Sequence, residues 1–414
     1  MLILQTISQK QQDKNDKAFL TAKLESFMQK QRNTKFMPEY QYKTFFFNIS
    51  NTKKATTEEN KDARAEQYRI AGEILRASNQ TSVVFYTENS NAANSLASGL
   101  ACPDTKKSKS APASYLEWQL GQYVLTGRIK FSPSGDTVSL DWWSQDLGEP
   151  TGAFVPSGGK SKPEYITSLT GNLYGWRHEI PMKGNASVVQ IPACLAGGNF
   201  TKTICRGKKL CIVGANDVIE TYELYHSVGL EITLNQVKNI YKKAFGADDV
   251  LVLGKGSGTI DSWKLQPQSM FHIDQAVFFP KEGVAVLVSP PKGMAEEEEA
   301  AKGYKKQLVD AGFEIIEIPT TKERIEKGQA YTNSITISSE RGTSLIMPSF
   351  GYRDGLEGEI RSILEKHGFK VVFVPDNAFK RRGNAHCMTG ALSYSDMVPQ
   401  FYKQATEGIT KPRA

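Results

Sequence analysis

The chain reads as an α/β protein assembled from repeated strand–strand–helix–strand units. Three observations predict this. Short apolar, strand-like runs alternate with charged, amphipathic, helix-like runs along most of the 414 residues, and the connections are short. Strands come in pairs between the helices, which suits ββαβ units better than a doubly wound parallel sheet. The composition, 39% apolar and 23% charged, belongs to a globular chain able to bury a sizeable core.

Residues 1–38 are rich in Gln, Lys and Asn, and an amphipathic stretch at Ala18–Met28 predicts a helical extension. From Tyr40 the pattern changes. Tyr42–Ile49 (YKTFFFNI) predicts a strand, Thr57–Ala77 a helix with Thr57 as its N-cap, and Ser82–Thr87 a strand. The Ser/Pro/Lys-rich residues 102–114 predict a linker. Ala193–Gly198 leads into a strand at Lys209–Val213, followed by a helix at Leu234–Phe245 and a strand at Val250–Leu253. A strand at Gly283–Ser289 precedes the helix Ala295–Ala311, whose Glu and Lys are mutually supportive in spacing. Strands at Glu314–Ile318, Ser334–Ser338 and Ser344–Pro348, the helix Glu357–His367 and the strand Lys370–Val374 complete the series. Sequence identity between the units does not by itself establish a repeat.

Several function classes recede. The net charge of +7 is dispersed, and the one basic run, Lys106-Lys107-Ser108-Lys109, reads as a loop, so no nucleic-acid partner is expected. The cysteines at 102, 194, 205, 211 and 387 form an odd set with no CxxC pair. That speaks against a zinc site and a disulfide framework; no metal or cofactor is expected. No apolar run reaches the ~18 residues of a membrane span, and the N-terminal run is short for a signal peptide. A cytoplasmic location is expected, with export without a cleavable signal peptide as the alternative.

Three segments carry chemistry. Arg382-Gly383-Asn384-Ala385-His386-Cys387-Met388-Thr389-Gly390 places a cysteine just after a Gly-Asn turn, where backbone can approach a ligand closely. Such a thiol is a nucleophile only with positive charge beside it; on spacing alone a buried structural cysteine is an equal reading. The structural reading is assigned to Cys102, Cys194, Cys205 and Cys211, which lie in or beside apolar segments. In Phe271-His272-Ile273-Asp274, an extended backbone would bring His272 and Asp274 to one face, pairing an acid/base with an anion; a solvated His and Asp is the alternative. Asp141-Trp142-Trp143-Ser144-Gln145-Asp146 offers a flat wall and an acid suited to a guanidinium, or equally a core Trp pair with a turn. The Gly254–Gly258 loop lacks phosphate-loop spacing. His386 would point away from Cys387's side if its segment were extended.

Together these segments resemble the guanidine-modifying (pentein) superfamily, in family order over roughly residues 40–400. GNAHCMT is similar to its nucleophile segment, FHID to its His-x-Asp strand and WSQD to its Trp-x-x-Asp segment. Leu195-Ala196-Gly197-Gly198-Asn199-Phe200 resembles its Gly-Gly segment, and Tyr331-Thr332-Asn333-Ser334 with Met347-Pro348-Ser349-Phe350-Gly351 its Asn-bearing strand and Pro-x-Phe-Gly turn. The resemblance implies a five-bladed, pseudo-symmetric α/β propeller over 40–400, with 1–39 as a helical extension and 401–414 as a tail. It also implies a mechanism: Cys387 attacks a guanidinium carbon held by Asp146 and Asp274, and His272 moves the protons. Trp143, Asn333 and Asn199 are expected substrate contacts, Asn199 with a turn role as the alternative. Relatives acting on free arginine or agmatine carry Glu before Gly-Gly, where this chain has Ala196. The wording is closer to peptidylarginine deiminases, so the expected substrate is arginine within a peptide or protein. A small-guanidine deiminase or amidinotransferase is the alternative, favoured if another acid serves for the missing Glu; a non-catalytic binding protein of this fold is remote.

Overall fold

The computed structural model describes residues 2–32, 34–49, 58–87, 128–133, 148–157, 160–168, 187–378 and 384–392, with a few positions between 93 and 126. The architecture is α/β. Its strands are β1 (Thr44–Ile49), β2 (Ser82–Thr87), β3 (Ile129–Pro133), β4 (Glu149–Ser157), β5 (Lys160–Ser168), β6 (Ser187–Ile191), β7 (Phe200–Cys205) and β8 (Lys208–Gly214). They continue as β9 (Asp249–Leu253), β10 (Val277–Lys281), β11 (Val284–Ser289), β12 (Glu314–Pro319), β13 (Ile335–Ser339), β14 (Gly342–Ser349), β15 (Phe369–Pro375) and β16 (Gly390–Leu392).

Among the described residues the strands form five separate sheets that repeat one pattern. In β4-β5-β6, β7-β8-β9, β10-β11-β12 and β13-β14-β15 the first pair is antiparallel and the second parallel. The remaining sheet, β16-β1-β2-β3, obeys the same rule with its antiparallel strand supplied from the far end of the chain: Thr44 pairs with Leu392 and Phe46 with Gly390. An antiparallel pair needs only a tight turn, whereas a parallel pair needs a crossover, and helices supply it in the units around β9, β12 and β15.

These helices form because their apolar residues recur at helical spacing. Leu234–Phe245 buries Val237, Ile240, Tyr241, Ala244 and Phe245, and starts with a capping box in which Thr233 and Gln236 satisfy each other's backbone N–H groups. Ala295–Ala311 buries Ala301, Tyr304 and Leu308; Leu356–Lys366 buries Leu356, Ile360 and Leu364. Each stripe closes an apolar cluster against the strands beneath.

The N-terminal helix Leu2–Gln29 docks Leu20 and Phe27 into the cluster of Tyr225, Ile240 and Tyr241. Lys17 Nζ caps it onto the Gly229 carbonyl at 2.7 Å. The chain then runs inward as a strap: Arg32 pairs with Glu164 at 2.7 Å and the Lys35 carbonyl accepts from Gly152 N at 2.7 Å. It ends in the 3-10 helix Glu39–Gln41, which packs against β7, β10 and β13.

Two expectations change. Between Ala193–Gly198 and the strand at 208–214 stands another strand, β7, joined to β8 by the two-residue turn Arg206-Gly207, both at positive φ (52° and 74°). This is the geometry that matches a hairpin's twist, carried by Arg-Gly rather than the more recognisable Asn-Gly. The FHID segment is not a strand: His272 is extended, but residues 273–275 turn into a 3-10 helix. The expected linker 102–114 and N-cap Thr57 lie outside the described residues.

Candidate active site

Cys387 sits on a helical turn, not in an extended segment. Met388 N–H donates to the Asn384 carbonyl (3.3 Å), Thr389 N–H to that of His386 (2.9 Å), and Thr389 Oγ1 to that of Ala385 (2.9 Å). Asn384 Oδ1 ties the turn to Ala330 N–H at 3.2 Å. Ala385 and Met388 anchor it in the core cluster beside β1 and β2. In an extended chain neighbouring side chains point to opposite faces; the turn removes that alternation, so His386 and Cys387 both face the site. The expectation that His386 points away is corrected by this geometry.

Asn333, in the turn before β13, gathers the site. Its Oδ1 accepts from His386 N–H (2.8 Å) and Cys387 N–H (3.3 Å). Its Nδ2 donates to Asp274 Oδ2 (2.7 Å) and lies 3.1 Å from Cys387 Sγ. A carboxamide has two donors and two acceptor positions, and all four are in use. Asn333, expected as a substrate contact, thus holds the thiol and the carboxylate rather than reaching outward.

Asp274 Oδ2 lies 3.6 Å from Cys387 Sγ. Its Oδ1 is buried and has no hydrogen-bond partner among the described residues. The 3-10 turn carrying it is fixed from below: Ile273 N–H donates to Asn199 Oδ1 at 3.1 Å, and Asn199 Nδ2 donates to Asp217 Oδ1 at 2.9 Å. Asn199 is fully buried with its amide committed inward, so the expected substrate contact is corrected to a support beneath the site. Asp217 also accepts from Ala196 N–H at 2.8 Å; burial pushes its carboxyl up to about 7 despite these hydrogen bonds. His272 and Asp274 both lie against Gly198, where a Cβ would stand 2.6 Å from His272 Nδ1 and 3.0 Å from Asp274 Oδ2.

His386 is pinned between two carboxylates. Its Nδ1 is 3.2 Å from Asp274 Oδ2, and its Nε2 is 2.5 Å from Glu39 Oε1. Burial alone would push the imidazole down, but the Glu39 charge and the hydrogen bonds to Asp274 and Glu39 outweigh it and raise it to about 10. Burial likewise opposes Glu39's ionisation, yet the His386 cation holds that carboxyl below its usual range. Glu39 further accepts from Thr201 Oγ1. Behind it, Lys202 is buried against Glu149 (3.5 Å) and Tyr42, whose hydroxyl donates to Glu149 at 2.6 Å.

The structure therefore brings Cys387, Asp274 and Asn333 together, sets His272 beside Asp274 on Gly198, and puts Asn199 underneath. Trp143 and Asp146 lie outside the described residues. Glu39 and His386 are the residues sequence reasoning passed over. His386 carried a signal in its place beside the cysteine; Glu39, in a polar N-terminal segment, carried none. Among the described residues no cluster of three or more His, Cys, Asp or Glu is placed to hold a metal ion, and no helix is long and apolar enough to cross a membrane.

The fold, with its sheets of one repeated topology among the described residues, is similar to that of solved guanidine deiminases. The chain is similar to C. jejuni agmatine deiminase (TM-score 0.56, 17% identity, covering 87% of this chain and 96% of that one). It is also similar to the agmatine deiminase of Enterococcus faecalis (TM-score 0.55, 14% identity, covering 87% and 96%). No protein family and no curated protein matches the sequence.

Proposed function

We propose that the protein is a deiminase that hydrolyses a guanidinium through Cys387, with its five sheets forming the blades of a pseudo-symmetric propeller around the site. One observation carries this reading: a thiol 3.6 Å from a buried carboxylate whose second oxygen, Asp274 Oδ1, has no partner among the described residues. A guanidinium is planar with N–H donors on several edges, so it can satisfy that oxygen with a charge-assisted bond and present its carbon to the sulfur.

The reaction balances as guanidinium plus water giving a ureido product plus ammonium. The Cys387 thiolate adds to the guanidinium carbon, forming a C–S bond; the C–N bond to one terminal nitrogen breaks, and that nitrogen leaves as ammonia after taking a proton from His272. Water, deprotonated by His272, adds to the thiouronium carbon; the C–S bond breaks and the thiolate returns. Asp146 is assigned the opposite edge of the guanidinium and Trp143 a flat wall beside it.

A small guanidine is the substrate supported best. Among the solved structures that this chain resembles over most of its length are agmatine deiminases and a putative arginine deiminase. Ala196 lacks the acid expected before Gly-Gly, but Glu220 stands exposed one helical turn after Asp217, the residue that accepts from Ala196 N–H. An acid there suits a substrate with a second cationic end. Arginine within a peptide is the second reading, favoured by the methyl at Ala196 itself. Purified full-length protein incubated with agmatine, free arginine and a blocked arginine peptide, with ureido product and ammonia both measured, tests the proposal. Turnover of none of the three would reject it, and the ranking assigns the substrate.

A further inference from the structure

The strap from the N-terminal helix ends with Glu39 against a histidine that neighbours the nucleophile in the chain. Both ring nitrogens of His386 face carboxylate oxygens, Nδ1 that of Asp274 and Nε2 that of Glu39. A neutral imidazole would turn a lone pair toward one of those oxygens; only an imidazolium donates to both. The ring is largely buried, its side chain 12% exposed, and Asp274's is 7% exposed, so the contacts are poorly screened. Among the described residues, the charged groups facing His386 include Glu39 from the strap and Asp274 from the 273–275 turn, with Glu149 of β4 and Lys202 of β7 behind Glu39.

We infer that His386, clamped between Glu39 and Asp274, is a positioning residue for the reacting thiol and carboxylate, and that Glu39 makes the N-terminal strap part of the active site. Two donors load Asp274 Oδ2, His386 Nδ1 and Asn333 Nδ2, and the sulfur of Cys387 stands 3.6 Å from it. That loading fixes the carboxylate's rotation and leaves Oδ1 turned to the substrate. The cation next to Cys387 favours the thiolate over the thiol. Glu39 keeps the cation in place by ionic contact and by sharing its second N–H. The account of turnover rests on the proposed deiminase reading; the clamp itself does not.

The test uses full-length wild type and the variants His386→Gln, Glu39→Gln and Glu39→Asp. The first readout needs no substrate: the rate of iodoacetamide alkylation against pH, read by mass spectrometry on the peptide carrying Cys387. The second is kcat and KM for agmatine. His386→Gln is expected to move the midpoint of the alkylation profile up by about one pH unit, hence roughly tenfold slower alkylation well below it. Glu39→Gln should add a second step to the profile below about pH 9, as the unclamped imidazolium titrates earlier, and lower kcat at least about tenfold with KM changed less. Glu39→Asp, which keeps the charge and is the conservative replacement should the amide disturb folding, should restore most of both. Folded variants that alkylate with the wild-type pH profile would overturn the inference. Shifted profiles in a protein that turns over no guanidine would leave the clamp standing and remove the deiminase reading instead.

Discussion

Gly198 lies flat against Asp274: a Cβ added at 198 would stand 3.0 Å from Oδ2 and 3.1 Å from Oδ1 of that carboxylate. The same Cβ would press on His272 Nδ1 at 2.6 Å. Both are ends of side chains that can yield, so the fold can absorb the methyl while the two functional groups move. Gly198→Ala is therefore expected to melt within a few degrees of wild type yet lose at least about tenfold in kcat/KM, because sub-ångström displacement of reacting groups is costly. Melting curves beside steady-state kinetics check this; full activity in the alanine variant would mean that neither group works from its present position.

Asn333→Ala removes four hydrogen bonds at once. The N–H groups of His386 and Cys387 lose their shared acceptor, and Asp274 and the sulfur lose their shared donor. Unmade bonds at buried groups cost about 1–3 kcal/mol each where water cannot replace them. The expected result is a destabilised protein whose activity falls by about a hundredfold, more than its folded fraction explains. Chemical denaturation gives the folded fraction, and kcat under native conditions gives the remainder.

Cys387 should react alone among the described cysteines. Cys194, Cys205 and Cys211 are buried, and burial raises all three thiols. A guanidine-mimicking haloacetamidine is expected to label Cys387 and block turnover, and Cys387→Ala to abolish turnover while unfolding at nearly the wild-type temperature. Equal labelling of the buried thiols would show that Cys387 enjoys no special activation.

Stability should fall as pH rises through the slightly alkaline range. His386 is raised from its ordinary 6.5 to about 10, so between these values the native state holds a proton that the unfolded chain has released. The contribution is complete below about pH 6.5 and is lost as pH climbs toward 10. Between pH 7 and 9 wild type should lose on the order of 2 kcal/mol that His386→Gln does not lose. Parallel denaturant titrations at the two pH values measure the difference; identical slopes for both proteins would place the His386 proton elsewhere.

Much of the fold was legible because local pattern and packing agree. The helices at 234–245 and 295–311 fall on the residues their apolar spacing predicts, and the flanking strands shift by a residue or two. The strand β7 was missed because Lys202 and three threonine or cysteine positions dilute its apolar pattern, although Lys202 is buried through partners distant in sequence. In the site, Cys387 was visible beside a Gly-Asn turn and Asp274 as the partner of His272 in a segment read as extended, while Asn333 was visible only through the resemblance of its segment. The clamp was not: Glu39 and His386 meet across 347 residues, and no local pattern encodes such a meeting. The inward commitment of Asn199 was equally hidden, since it depends on Asp217, beyond the β7–β8 hairpin.

The pairing of β16 with β1 bears on how the protein is made. A ribosome releases β1 with its outer edge open until β16, which lies far later in the sequence, arrives. Cys387 sits just ahead of that late strand, on a turn anchored by Ala385 and Met388 in the cluster under β1. A nascent or interrupted chain can thus complete four sheets and still lack its thiol, holding an acid and a histidine with nothing to attack a substrate. The thiol therefore joins Asp274 and Asn333 at about the moment that β16 completes the sheet of β1, and not before.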